Sequence, residues 1–175
     1  PIYASGTFTA VATYTHNGNE TTSDSFTYKV NDKNSDSNTA LSAITITAVN
    51  DAPVAAAANG SGYENNSGSN EIITTTLTAT DEDDTDPSLF SFAIVSQPTD
   101  IAGSVTITTP TYTASTKTFT STATYTHNGS ELIADSFTYK AIDGGSPSYD
   151  SNIATATIRI TPVNDAPVAA AVNGS

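Results

Sequence analysis

The chain has 175 residues, of which 18 are Asp or Glu and only 5 are Lys or Arg, giving a net charge of −13, and it contains no Cys, Met or Trp. Disulfide and thiolate chemistry are therefore excluded, and so acidic a surface repels phosphate backbones and anionic lipid, which argues against nucleic acid as a partner. No apolar run reaches the ~18 residues of a membrane span, so direct membrane insertion is not expected.

Only 13% of residues are charged while 37% are hydrophobic, and nearly one in five is Thr. That mixture favours pleated, half-buried strands over helices and is unlike a disordered acidic tail. An internal repeat organises the chain. Ala12–Lys29, ATYTHNGNETTSDSFTYK, recurs as Ala123–Lys140, ATYTHNGSELIADSFTYK, 111 positions on. The stretch TAVNDAPVAAAANGS ending at Ser61 recurs as TPVNDAPVAAAVNGS ending at Ser175, 114 positions on. The difference is absorbed where Asp32–Asp36 is matched by the longer, Gly/Ser/Pro-rich Asp143–Asp150, a turn composition that tolerates extra length. The repeat is thus about 114 residues, an ordinary domain size. Residues 1–50 read as the C-terminal part of an incomplete repeat, 51–166 as a complete one, and 167–175 as a linker or the start of the next. With Pro1 in first place, the chain reads as part of something longer.

In chain order, strands are predicted around residues 7–15, 24–30 and 40–49 in the partial repeat. In the complete repeat they are predicted in EIITTTLTAT from Glu71, LFSFAIVS from Leu89, SVTIT from Ser104, and then 118–126, 136–142 and 154–161. Phe119, Ala123 and Tyr125 alternate with Thr residues, as do Phe137, Tyr139 and Ala141 with Ser136, Thr138 and Lys140, and Ala154, Ala156, Ile158 and Ile160 with Thr155, Thr157, Arg159 and Thr161. A period of two puts one face of each strand on a core. Six or seven such strands in one repeat point to an all-β fold, a Greek-key β-sandwich of immunoglobulin-like type, tandemly repeated. The partial repeat supplies only about three strands, an unfinished sandwich to be completed by preceding residues or by another copy of the chain.

Nothing in the sequence assembles a catalytic constellation, and no enzyme activity is expected. The two His, His16 and His127, occupy the same repeat position in Tyr-Thr-His-Asn-Gly, where Asn-Gly after a strand signals a hairpin turn. The acids are more informative. Asp81-Glu82-Asp83-Asp84-Thr85-Asp86 sets five carboxylates in six positions directly after a strand. This run is either a solvated acidic loop or a Ca²⁺ site, since that ion takes six to eight oxygens from carboxylates, carbonyls and amides. No Gly stands at its sixth position and no helix flanks it, so it is not an EF-hand. Asp143 at the end of another strand, and Asn50-Asp51 with its copy Asn164-Asp165, add further oxygens. Asp84 and Asp86 read as screened neighbours.

Ala141-Ile142-Asp143-Gly144-Gly145-Ser146-Pro147, an Ala/Ile/Thr strand and then Asn164-Asp165-Ala166-Pro167 resemble the C-terminal part of a cadherin repeat. Asp81-Glu82-Asp83 is similar to the Asp-x-Asp loop of that family and Glu64-Asn65 to its Glu-Asn near the domain start. The Val-Asn-Asp-Ala-Pro-Val linker, Ser96-Gln97-Pro98 and Asp-Ser-Phe-Thr-Tyr are more specifically like the bacterial cadherin-like tandem repeats of large surface adhesins and matrix proteins. The Tyr-Thr-His-Asn-Gly-Ser-Glu phrase is shared with chondroitin-sulfate-proteoglycan repeats.

The resemblance implies a cadherin-like sandwich repeated end to end, with Ca²⁺ at each junction. Asn50, Asp51, Asp81, Asp83 and Asp143 would hold it at the first junction, and Glu64 with Asn164 and Asp165 would serve the second. The expected function is a structural extension module of a long extracellular adhesin or matrix filament, at the cell surface or in a biofilm matrix. Its partners would be neighbouring repeats of the same chain and other copies in a filament. The alternatives are a sandwich that binds a glycan or protein, or a self-assembling filament subunit completed by strands from another chain. An exposed aromatic cluster would favour the former, but most of the eight Tyr and six Phe fall on alternating inward positions.

Overall fold

The computed structural model describes residues 1–64, 71–102 and 104–171; Asn65 lies outside them. The chain divides into two compact units, Pro1–Val49 and Asn50–Ser175. Among the described residues both units are built from strands and turns, without helices.

The second unit carries β5 (Val54–Ala55), β6 (Ala58–Tyr63), β7 (Ile72–Thr80), β8 (Ser91–Ser96), β9 (Thr106–Ile107), β10 (Thr111–Thr113), β11 (Thr118–Thr126), β12 (Ala134–Ile142) and β13 (Ala154–Thr161). One sheet has the order β10-β11-β7-β5, with β9 also paired to β11, and the other has the order β6-β13-β12-β8. The long strands form where alternation is strict. Ile73, Leu77 and Ala79 of β7 and Phe119, Ala123 and Tyr125 of β11 face one way. Phe137, Tyr139 and Ala141 of β12 and Ala156, Ile158 and Ile160 of β13 face them, and all belong to a single buried cluster. Each such aliphatic or aromatic side chain contributes about 1.5–3 kcal/mol by leaving water. Phe90, just ahead of β8, stacks on Phe119 of the other sheet with ring centroids 3.8 Å apart and planes 2° from parallel. The two sheets therefore close on one core.

β5 and β6 lie in a stretch rich in Ala, Gly and Asn for which no strand is predicted. They pair through backbone, with Ala55 and Ala58 reaching the buried cluster. β5 runs antiparallel to β7, while β6, two residues on, runs parallel to β13, so the opening segment passes from one sheet to the other. Ala55 is clamped by Asn152, whose Oδ1 accepts its N–H at 3.0 Å and whose Nδ2 donates to its carbonyl at 3.0 Å. The Tyr139 hydroxyl donates to the Ala56 carbonyl. At Gly62 of β6 a side chain is excluded, because a Cβ there would come within 2.5 Å of Ile73 Cγ1.

The first unit has β1 (Ile2–Ala4) paired with β2 (Thr7–Thr9) and β3 (Ser23–Tyr28) paired with β4 (Ala40–Thr45), each antiparallel. The strand expected over 7–15 stops at Thr9. Its repeat counterpart β11 is nine residues long because β7 pairs with all of it, from Thr118↔Thr80 to Thr126↔Ile72. In the first unit β2 pairs with β1 alone, so regular pairing ends with that hairpin.

The two faces of β7 differ in consequence. Leu77→Ala lowers the free energy of unfolding by about 2–5 kcal/mol, whereas Ile72→Ala, on the outward face, changes it by less than about 0.5 kcal/mol; urea titrations followed by tyrosine fluorescence measure both.

Candidate functional site

Inward packing fixes where β7 and β12 end, and each ends on an acid. Asp81 follows Thr80 and Asp143 follows Ile142, and both are buried, each only 3% exposed. Asp81 Oδ1 accepts the backbone N–H of Asp83 at 2.9 Å and of Asp84 at 2.8 Å, which curls the acidic run back on its first residue. Asp81 Oδ2 is buried with no hydrogen-bond partner. Asp143 Oδ1 accepts the Tyr149 N–H at 2.7 Å, and its Oδ2 accepts Asn50 Nδ2 at 2.7 Å.

The segment entering the unit is tied to the same place. Asn50 Nδ2 also reaches the Pro147 carbonyl at 3.1 Å, and the Asp51 N–H donates to Asp83 Oδ2 at 2.6 Å. Gly145 permits this approach, since a Cβ there would fall on the Asn50 side-chain amide. Asn50, Asp51, Asp81, Asp83 and Asp143, drawn from three separate stretches of sequence, thus meet at one end of the second unit. Asp84 joins them: its Oδ2 accepts the Gly144 N–H at 2.6 Å, across to the loop after β12. Reading it as a screened neighbour missed this, because the partner is a backbone amide sixty positions away and leaves no side-chain signal. Asp86 does stay local, accepting the N–H and hydroxyl of Ser88. Glu82 pairs with Lys117.

The electrostatics of the two buried acids differ in sign. Burial pushes the Asp81 carboxyl above its usual range, only partly offset by the Asp84 and Asp83 amides, and the charges of Asp84 and Asp143 push it the same way. Burial also acts upward on Asp143, but the Tyr149 amide, Asn50 and Ser148 outweigh it and hold that carboxyl below its usual range. The arrangement is a half-finished neutralisation. Backbone and Asn N–H groups satisfy most carboxylate oxygens, while Asp81 Oδ2 faces neighbouring negative charge without a donor. The orphaned anionic acceptor is one that a hard divalent cation such as Ca²⁺ could satisfy.

A second acidic group lies at the other end of β12. Glu64, which follows β6, is buried; its Oε1 accepts the Val163 N–H at 2.8 Å and its Oε2 has no partner. One oxygen each from Glu64, Glu131 and Asp165 lie within 4.8 Å of one another. Glu64 and Asp165 are expected members; Glu131 adds a third acid from the turn between β11 and β12. Asn164 sits beside them in sequence, with its Nδ2 on the Asp165 carbonyl at 3.1 Å.

His127 closes the β11 end of the unit. It is fully buried, the Gly129 N–H donates to its Nδ1 at 3.3 Å, and its Nε2 lies 3.5 Å from Asp100 Oδ2. Asn128 Nδ2 and the Ser130 hydroxyl bind the same Asp100 carboxylate. The imidazole therefore fills the inside of the turn and accepts the Gly129 N–H, while its Nε2 makes no hydrogen bond. Searches against protein-family models and curated proteins find no match for the chain.

The signs of the two shifts make opposite demands on pH. Because folding raises the Asp81 value, its contribution is fully favourable only below the unfolded carboxyl value and is lost as pH rises through the folded one. Asp81→Asn is therefore expected to raise the melting temperature in chelator at pH 7, with the gain vanishing below about pH 4. Because folding lowers the Asp143 value, its contribution is present at neutral pH and lost as pH falls through the folded value. Asp143→Asn is expected to lower the melting temperature at pH 7 and to change little at pH 2; calorimetric scans across pH 2–8 read both signs.

Proposed function

We propose that the chain is a structural extension module of a long extracellular adhesin or matrix filament, built of cadherin-like repeats and stiffened by Ca²⁺ where one repeat meets the next. The observation that carries this reading is Asp81 Oδ2, a buried carboxylate oxygen without a donor, set among Asn50, Asp83, Asp84 and Asp143 at the point where the chain enters the second unit. We read the two sheets, with an opening segment shared between them, as a Greek-key sandwich of immunoglobulin type, which supports the same proposal.

In this proposal Asp81, Asp83, Asp84 and Asp143 hold the cation, with Asn50 and Asp51 supplying side-chain and backbone oxygens. When bound, the ion neutralises the crowded carboxylates and reinforces the ties that already hold the entering segment to the loops after β7 and β12. Asn50 and Asp51 then lose freedom to swing, and a flexible joint becomes a stiff one. The group at Glu64, Glu131 and Asp165 does the same for the segment that leaves the unit. β12 runs between the two ends, its nine residues spanning about 30 Å. Each repeat is thus a bar with an acidic fastening at either pole. Extracellular modules of this kind bind Ca²⁺ at about 10⁻⁴–10⁻³ M, which leaves them loose inside a cell and fastened outside it. His127 and its neighbours serve the fold in this reading, not catalysis.

Thermal melts and small-angle scattering in 10 mM Ca²⁺, in 10 mM Mg²⁺ and in chelator test the proposal. At a hundredfold excess over the dissociation constant, Ca²⁺ is expected to add about 2.7 kcal/mol to the stability of the second unit, with an increase in maximum dimension. Mg²⁺, which demands a tighter octahedral set, is expected to add much less. Asp81→Asn and Gly145→Ala, the latter displacing Asn50 without touching a charge, should each remove the share of the Ca²⁺ increment that comes from the entry end and leave the share from Glu64, Glu131 and Asp165. Identical melts and dimensions in Ca²⁺ and chelator would sink the idea.

A further inference from the structure

The second unit has two sheets, and each sheet has two edges. One is bounded by β5 and by the short β9 and β10, the other by β6 and β8. A free edge offers a row of backbone N–H and C=O groups with which another chain can pair. Most of these edges are blunted. β5 and β9 have two residues each, β10 has three, and β5 and β10 follow Pro53 and Pro110 directly. β6 carries Gly60 and Gly62, and glycine weakens a strand. β8 is built differently. Ser91-Phe92-Ala93-Ile94-Val95-Ser96 holds no Gly, Pro or charge, and among the described residues β12 is the one strand it pairs with.

β8 also borders an opening between the sheets. The segment leading into it and the turn from β9 to β10 line a cleft of about 580 Å³, without a charged side chain in the lining. Pro87, buried Phe90, Phe92, Ile107 and Pro110 make it largely apolar, and Phe92 and Ile107 are only partly buried against the core. The volume lies in the range of ordinary ligand clefts. Phe92 and Ile94 face inward, so a strand paired with β8 continues the pleat and sends every second side chain to the cleft side and the others to solvent.

Charge decides what kind of chain fits. The segment that lines the cleft is headed by Asp86, which is exposed and, among the described residues, has no cationic partner, whereas Glu82 is paired with Lys117. The hydroxyl and N–H of Ser88 hold the Asp86 carboxyl below its usual range, so it is anionic at neutral pH. A chain of net charge −13 draws basic partners and repels acidic ones. A strand added antiparallel to β8, the slightly stabler pairing, brings its C-terminal end toward Asp86. A second copy of this chain fits less well: its β8 has no basic residue to offer, and its own Asp86 would come with it.

We propose that the free edge of β8 is a strand-addition site for an extended polypeptide with branched apolar side chains at alternate positions and basic residues at its C-terminal end. Backbone pairing to β8 supplies affinity, while the cleft and Asp86 select the sequence. The site uses none of the oxygens assigned to the cation, and its test is run in chelator so that the two readings fail separately.

The probe is the peptide acetyl-Thr-Val-Thr-Val-Thr-Val-Arg-Arg-amide, added to the intact chain while amide exchange is followed residue by residue. Exchange over β8 is expected to slow at least tenfold at saturation. A peptide of the same composition with the alternation broken should give no such protection. Thr109→Arg, which sets a bulky cation on an exposed position of the cleft lining, should abolish binding at β8, while Thr76→Arg, the same charge change on the outward face of β7, should leave it. Asp86→Asn, which leaves the cleft lining untouched, should weaken binding roughly two- to fivefold, the size of an exposed ion pair. Unchanged exchange over β8, equal protection by the two peptides, or equal effects of Thr109→Arg and Thr76→Arg would each overturn the proposal. So would protection of β8 that rises with protein concentration in the absence of peptide, since a second copy would then be the occupant.

Discussion

The constraint on which this molecule rests is that every second side chain of four long strands must leave water at once. β7 and β11 lie side by side in one sheet, β12 and β13 in the other, and their inward residues belong to one cluster. Once that cluster forms, strand ends are no longer free to wander. β7 has to stop where its alternation meets Asp81, and β12 where it meets Asp143, because a carboxylate cannot continue an apolar face without a large desolvation cost. The same packing that builds the core therefore delivers two acids, buried at their stems, to one pole of the unit. Charge is concentrated there by the geometry of burial, with no need for a dedicated loop scaffold.

How much of this was legible in the sequence depends on which atoms do the pairing. β7, β11, β12 and β13 announce themselves because their partners recognise side chains, and side chains alternate. β5, β6, β10 and β1 were passed over. They are short or rich in Ala and Gly, and backbone pairing, with clamps such as Asn152 on Ala55, holds the opening segment. Backbone hydrogen bonds are blind to residue type and leave no period to read. The strand expected over 7–15 failed for the complementary reason. Its alternation is intact, but without a partner like β7 the pattern cannot become regular pairing beyond Thr9.

The acidic clusters follow the same division. Asn50, Asp51, Asp81, Asp83 and Asp143 could be nominated from composition and position, and all five lie together. Asp84 and Glu131 were harder to place. The role of Asp84 depends on the amide of Gly144, and that of Glu131 on a turn whose inner surface is fixed by His127, Asp100 and Ser130. The repeat itself was the most readable feature. The first unit, read as an unfinished sandwich, keeps local contacts of the second and leaves Phe8 and Tyr28 in solvent.

The parallel pairing of β6 with β13 bears on how the second unit meets force. Six register pairs, from Ala156↔Ala58 to Thr161↔Tyr63, join the second strand of the unit to its last. Tension applied through Asn50 and Val163 draws these two strands past each other along their length. The bonds between them are then loaded together, in shear, instead of parting one after another like a zip. A unit held in this way yields abruptly under tension.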